Sequence, residues 1–120
     1  PLLRADSAKA CADLDLPGYA IGGLSVGEPL EYYVPSLAAA IEHLPKEKPR
    51  YVMGVGTIPE LLNGVALGVD MFDCVLPTRN ARNGQVFTSV GKVNLRNLKH
   101  AQSDSPIDPE CSCKVCKKYS

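Results

Sequence analysis

The order of its apolar segments most constrains what this 120-residue chain can fold into. Leu2, Leu3, Ala10, Leu14 and Leu16 are spaced for a helix, which Asp15 to Gly18 stops. Tyr19-Ala20-Ile21 reads as a short strand ending in Gly22-Gly23. Glu28-Pro29 introduces a second helix over about 30–44, with Leu30, Val34, Leu37, Ala38, Ile41 and Leu44 at helical spacing. Arg50 to Gly56 reads as the next strand, Pro59 to Leu67 as a third helix closed by Gly68, and Met71 to Leu76 as a third strand halted by Pro77. Helix and strand alternating in this way predict parallel βα units in an α/β sheet with both faces covered.

Such units place chemistry in the loops at the carboxyl ends of their strands. Here those loops begin with Gly22-Gly23, Gly54-Val55-Gly56 and Asp73 to Arg82. Beyond Pro77 the stretch to Arg82 reads as a loop, and Gly84 to Leu95 alternates as two strands about a turn, predicting a β-hairpin. Three parallel strands cannot close a sheet, and an eight-stranded βα barrel takes about 250 residues. The chain is therefore expected to be a segment of a larger protein.

Composition supports a folded protein, with 45% apolar residues. No stretch approaches the roughly 20 apolar residues that span a bilayer, and no basic-then-apolar segment opens the chain. A cytoplasmic protein with no membrane association is expected. The net charge is zero, but residues 1–73 hold 5 basic and 10 acidic side chains whereas residues 74–120 hold 8 and 3. Arg79, Arg82, Lys92, Arg96 and Lys99 lie in a run free of acidic residues, which fits either an anionic partner or a basic solvated face.

Two features could carry chemistry. Asp73 interrupts the apolar strand Met71-Phe72-Asp73-Cys74-Val75-Leu76, where a carboxylate is costly unless paired or used. It is either a reactive group or an aspartate bonded to nearby amides, Arg79 or Arg82. Cys111, Cys113 and Cys116 form C-x-C-x-x-C, three soft thiolates that suit tetrahedral zinc in a reducing compartment. Three thiolates leave little room for an activated water, so the site is expected to be structural. His100, eleven residues before the cluster, or a histidine beyond Ser120 could complete it. The glycine turns match neither a P-loop nor the full dinucleotide spacing. Glu28 could bind a cation or serve the helix dipole.

Gly18-Tyr19-Ala20-Ile21-Gly22-Gly23-Leu24-Ser25-Val26-Gly27-Glu28, Lys48 to Gly56, Asp70 to Gly84 (DMFDCVLPTRNARNG) and Asp108 to Cys116 (DPECSCKVC) occur in order and closely resemble bacterial tRNA-guanine transglycosylase, over essentially residues 18–120. The resemblance implies a partial (β/α)8 TIM barrel, its last three βα units occupying residues 1–77. Residues 78–120 would form an RNA-contacting loop, the hairpin and an incomplete zinc-binding subdomain. It implies exchange of the tRNA wobble guanine for the deazaguanine base preQ1 in queuosine biosynthesis. Asp73 would be the nucleophile, Gly23 and Leu24 would bind the base, and Glu28 would support recognition of its aminomethyl group. Gly54, Val55, Gly56, Thr57, Ile58, Pro59 and Glu60 match one RNA-contacting loop; Thr78, Arg79, Asn80, Ala81 and Arg82 match the segment that reads the anticodon. Cys111, Cys113 and Cys116 match three zinc ligands, with the fourth, a histidine, expected beyond Ser120. The general acid/base would precede Pro1, so this stretch alone is expected to be inactive and the full-length protein to be a homodimer. The competing expectations are a zinc-stabilised RNA-binding module without catalysis, and an α/β scaffold whose zinc only aids folding.

Overall fold

Three strands, β1 (Tyr19–Ile21), β2 (Arg50–Val52) and β3 (Met71–Phe72), lie side by side in chain order and run parallel. The computed structural model describes residues 1–119, in which the chain forms two compact units, Pro1–Val75 and a second beginning at Leu76. Ala20 pairs with Tyr51, and Tyr51 in turn with Met71. Crossovers between parallel strands are right-handed almost without exception, so a sheet whose spatial order follows chain order carries its crossover helices on one face. Burial agrees. Tyr19, Ile21 and Val52 are in the core, while Ala20 and Met71 are exposed and Tyr51 is half-buried on the opposite face. The expectation of a sheet covered on both faces is therefore corrected: within this unit one face is covered.

The covering helices include α2 (Leu30–Ile41), which buries Tyr33, Leu37, Ala40 and Ile41 along one stripe. It ends three residues before the expected Leu44, because the N–H groups of His43 and Leu44 turn to the carbonyls three residues back, at Ala40 and Ile41. The first helix, α1 (Leu2–Ala12), buries only Ala8; Leu2, Leu3, Leu14 and Leu16, which suggested it, are exposed. Helix α3 (Ile58–Leu67) starts with a capping box between Thr57 and Glu60 and stops at Gly68 in the left-handed conformation (φ +95°). Buried Arg50 donates to the carbonyls of Leu44 (2.6 Å), Pro45 (3.1 Å) and Gly68 (3.4 Å), so its charge sits where helices α2 and α3 present unsatisfied oxygens.

Two strands are shorter than the sequence suggests. β2 ends at Val52 because Gly54 adopts φ +71° and turns the chain aside. β3 finds partners only at Tyr51 and Val52, so pairing ends at Phe72. The expected loop over Thr78–Arg82 is also corrected: Leu76–Arg82 is a helix, α4. Pro77 sits in its first turn, where a missing N–H costs nothing and the fixed φ favours helix.

In the second unit β4 (Gln85–Thr88) and β5 (Gly91–Asn94) form the expected antiparallel hairpin about Ser89-Val90. Asp108, one of the buried polar residues, accepts from Ser89 N–H (2.7 Å), Ser89 Oγ (2.9 Å) and Glu110 N–H (3.1 Å), tying the hairpin tip to the segment before the cysteines. A 3-10 turn (Leu98–His100) and α5 (Lys114–Lys118) complete the unit. Among the described residues no helix is long and apolar enough to cross a membrane.

Candidate active site and metal centre

Parallel pairing brings the carboxyl ends of β1, β2 and β3 to one edge of the sheet. Asp73 follows β3 there and is exposed. Its Oδ1 accepts the Gly54 N–H at 2.8 Å and the Tyr51 hydroxyl at 2.6 Å. These two donors hold the carboxyl below its ordinary 3.8, the Gly54 amide contributing most, and the Tyr51 phenol is pushed up by sharing its proton with Asp73. Asp73 is thus an ionised carboxylate at neutral pH, with Oδ2 untouched by either donor.

Tyr51 was not singled out from sequence. The signal was present: Tyr51 is one place out of step with buried Val52, so it shares the open face with Met71 and Asp73. Only the strand register shows that its hydroxyl reaches the carboxylate.

The loop after β1 is built from unusual backbone, with Gly23 at φ +65° and Ser25 at φ +56°. Leu24 sends its side chain into the core, leaving its backbone at the strand end. Glu28 accepts the N–H groups of Ser25 and Val26, the latter at 2.8 Å. Partial burial raises its pKa, but these amides and Arg4 outweigh that and hold Glu28 below its ordinary value. Glu60, expected in an RNA-contacting loop, has both oxygens engaged: Oε1 by Ser25 Oγ at 2.6 Å and Oε2 by Thr57. Glu60 therefore joins the loops that follow β1 and β2. Of the other residues in that loop, Val55 is fully buried, Ile58 and Pro59 are exposed, and a Cβ at Gly56 would collide with the Cys74 side chain. Thr78, Arg79, Asn80, Ala81 and Arg82 all lie on α4, in the second unit.

The Sγ atoms of Cys111, Cys113 and Cys116 lie within 4.8 Å of one another. Zn–S bonds of about 2.3 Å in a tetrahedron need sulfurs about 3.8 Å apart, so this donor set fits zinc after small side-chain adjustments. Cys113 caps α5, accepting the Cys116 N–H at 3.5 Å. That amide and the neighbouring thiols lower Cys113 to about 7, while burial and its thiol neighbours push Cys116 up to about 11. Asp108 supports the cluster through its carbonyl, which accepts the Cys111 N–H at 3.2 Å. His100 is not part of the cluster; its ring lines a separate cavity of about 330 Å³ with Val93, Leu95 and Ile107, its Nε2 buried without a partner.

The first unit thus presents a glycine-rich strand edge with an ionised aspartate, and the second unit carries a three-thiolate donor set. The profile of the family described as queuine tRNA-ribosyltransferase matches residues 1–120. The queuine tRNA-ribosyltransferase of Leptospira biflexa serovar Patoc is 64% identical over 118 residues, covering 98% of this chain and 32% of that protein. That of Bacillus velezensis is 58% identical and that of Desulfosudis oleivorans 57%, each over 118 residues, 98% of this chain and 31% of the relative. The chain belongs to the queuine tRNA-ribosyltransferase family, and it spans about a third of the length of these relatives.

Proposed function

We propose that this chain carries the nucleophile and three zinc ligands of a cytoplasmic tRNA-guanine transglycosylase, which replaces the wobble guanine of tRNA by preQ1. The observation that carries this reading is Asp73: an exposed carboxylate at the end of a parallel strand, kept ionised by Tyr51 and Gly54 through one oxygen. In the reaction Oδ2 attacks the anomeric carbon of the nucleoside, the bond to guanine breaks, and guanine leaves with the electron pair and takes up a proton. A ribosyl ester on Asp73 results. The incoming base then gives up its ring N–H proton, and that nitrogen attacks the anomeric carbon as the Asp73 carboxylate leaves, so two inversions give net retention.

Residues 1–77 serve in this reading as the last three units of a (β/α)8 barrel, and residues 78–120 as the RNA-contacting and zinc-binding part. Gly23 and Leu24 meet the base through their backbone, with Glu28 shaping the loop by holding Ser25 and Val26. The exposed Gly54, Thr57, Ile58 and Pro59 and the α4 arginines Arg79 and Arg82 contact tRNA, whereas buried Val55 and the internally bonded Glu60 shape that loop rather than touch RNA. The target base must leave its stack to reach a strand-end site. Cys111, Cys113 and Cys116 would hold a zinc ion, which would supply cross-linking of the segment and no chemistry on the substrate. The full-length protein works as a homodimer.

The test uses a full-length protein carrying this sequence. Asp73→Asn should abolish exchange of labelled guanine into tRNA and trapping of a covalent RNA adduct, and Arg79→Ala with Arg82→Ala should weaken tRNA binding and flatten its salt dependence. Normal exchange by the Asp73→Asn protein would refute the proposal. Unchanged tRNA binding with no exchange even in the parent protein would favour a zinc-stabilised RNA-binding module.

A further inference from the structure

Arg4 occupies the first turn of α1, where the helix dipole disfavours a cation and nothing in helix formation calls for one. Its guanidinium is committed elsewhere. Nη1 donates to the Gly22 carbonyl at 2.8 Å and Nη2 to the Gly23 carbonyl at 2.9 Å. Successive carbonyls of an extended strand point to opposite sides, so one planar fork can hold both only where the strand breaks. Gly23, at φ +65°, supplies that break, and a Cβ added there would press against Nη2 at 3.5 Å.

The consequence lies on the other side of the two peptides. A trans peptide directs its N–H opposite to its C=O. With both carbonyls turned toward Arg4, the N–H groups of Gly23 and Leu24 face away from it together. Among the described residues neither N–H has a hydrogen-bond partner, whereas the next two, of Ser25 and Val26, are taken by Glu28. Two adjacent, unpaired backbone donors at the carboxyl end of a strand form a receptor for a carbonyl oxygen or similar acceptor.

We propose that Arg4 is a positioning residue for base binding: by holding the Gly22 and Gly23 carbonyls it aims the Gly23 and Leu24 N–H groups at a carbonyl oxygen of the exchanged base. This rests on the transglycosylase reading above and deepens it. Arg4 touches neither base nor RNA; it acts through the two peptides it turns. Glu28 and the Ser25–Glu60 bond hold the far half of the loop, so Arg4 governs the near half.

The experiment compares Arg4→Ala, Arg4→Lys and the exposed control Lys9→Ala in a full-length protein carrying this sequence, measuring guanine exchange with guanine and tRNA varied in turn. Loss of two charge-assisted bonds should raise KM for guanine about tenfold in Arg4→Ala. KM for tRNA should stay within about twofold, since RNA contacts lie elsewhere. Arg4→Lys should recover part of the loss, because an ammonium can hold one carbonyl, and Lys9→Ala should match the parent. An unchanged guanine KM in Arg4→Ala would overturn the proposal, as would a proportional fall of all parameters with Arg4→Lys no better. A parent protein that exchanges no guanine defeats the transglycosylase reading instead. Amide NMR shifts then decide Arg4 by itself: large changes at Gly23 and Leu24 in Arg4→Ala, absent in Lys9→Ala, support it, and unchanged Gly23 and Leu24 amides refute it.

Discussion

Gly64 in α3 packs against the ring of Phe72, the residue before Asp73, and Gly64→Ala tests whether that contact fixes the strand end. A Cβ at Gly64 would lie 2.7 Å from both Cε1 and Cζ of Phe72 and 3.5 Å from Tyr33 Oη. Comfortable carbon contacts are about 3.5–4.0 Å, so ring and helix must part by roughly an ångström. Phe72 is packed against the buried cluster, which limits how far the ring can swing. Overpacking of this kind costs about 2 kcal/mol, and replacing a glycine inside a helix by alanine returns about 1 kcal/mol. The net expectation is a loss of about 1 kcal/mol, roughly a fivefold fall in the folded-to-unfolded ratio.

The sign should reverse when the ring is removed. In a Phe72→Leu background the same Gly64→Ala change meets no ring edge and should stabilise by about 1 kcal/mol, giving a coupling of about 2 kcal/mol. Urea unfolding midpoints of the parent, both single variants and the double variant, in full-length protein, measure it. Guanine exchange should fall in Gly64→Ala and recover in part in the double variant, because the displaced ring carries Asp73 with it. Equal effects of Gly64→Ala in the two backgrounds, within about 0.5 kcal/mol, would refute the packing argument.

Tyr51→Phe removes one of two donors to Asp73. The carboxyl pKa should then rise toward its ordinary 3.8, moving the acid limb of the exchange rate to higher pH; a limb that stays in place counts against the Tyr51 contact. The sign follows from linkage: a depressed carboxyl pKa contributes stability that is present above the unfolded value and is lost as pH falls through the folded one. Cys116→Ser should reduce zinc from about one ion per chain to a small fraction and lower the thermal midpoint, both read by metal analysis and calorimetry on the same preparation. Zinc in the parent protein should be released more readily as pH falls, because protons compete for the thiolates; full retention of zinc by Cys116→Ser would remove that cysteine from the ligand set.

Much of the architecture was legible because it rests on local signals. Gly68 ends α3 as its position suggested, since only a residue tolerant of positive φ closes a helix in that way. The hairpin and the three-cysteine cluster were equally local. The extent of β2 and β3 was not, because apolar runs say where a strand can form and only a pairing partner says where it stops. The helix α4 was hidden by a polar composition that reads as a loop, although Pro77 at its start was the available clue.

The site divides along the same line. By itself the sequence determined the chemical types present: an aspartate in an apolar strand, glycines at strand ends, three thiolates within six residues, and a family pattern that orders them. Tertiary structure decided what each group does to the others. The register puts the Tyr51 hydroxyl on Asp73, a turn at Gly54 aims an amide at the same oxygen, and the placement of α1 beside the end of β1 puts the Arg4 fork on two carbonyls. These contacts join residues 18 to 22 positions apart, and hydrogen bonds at such separations follow from how strands and helices pack, which no local pattern encodes.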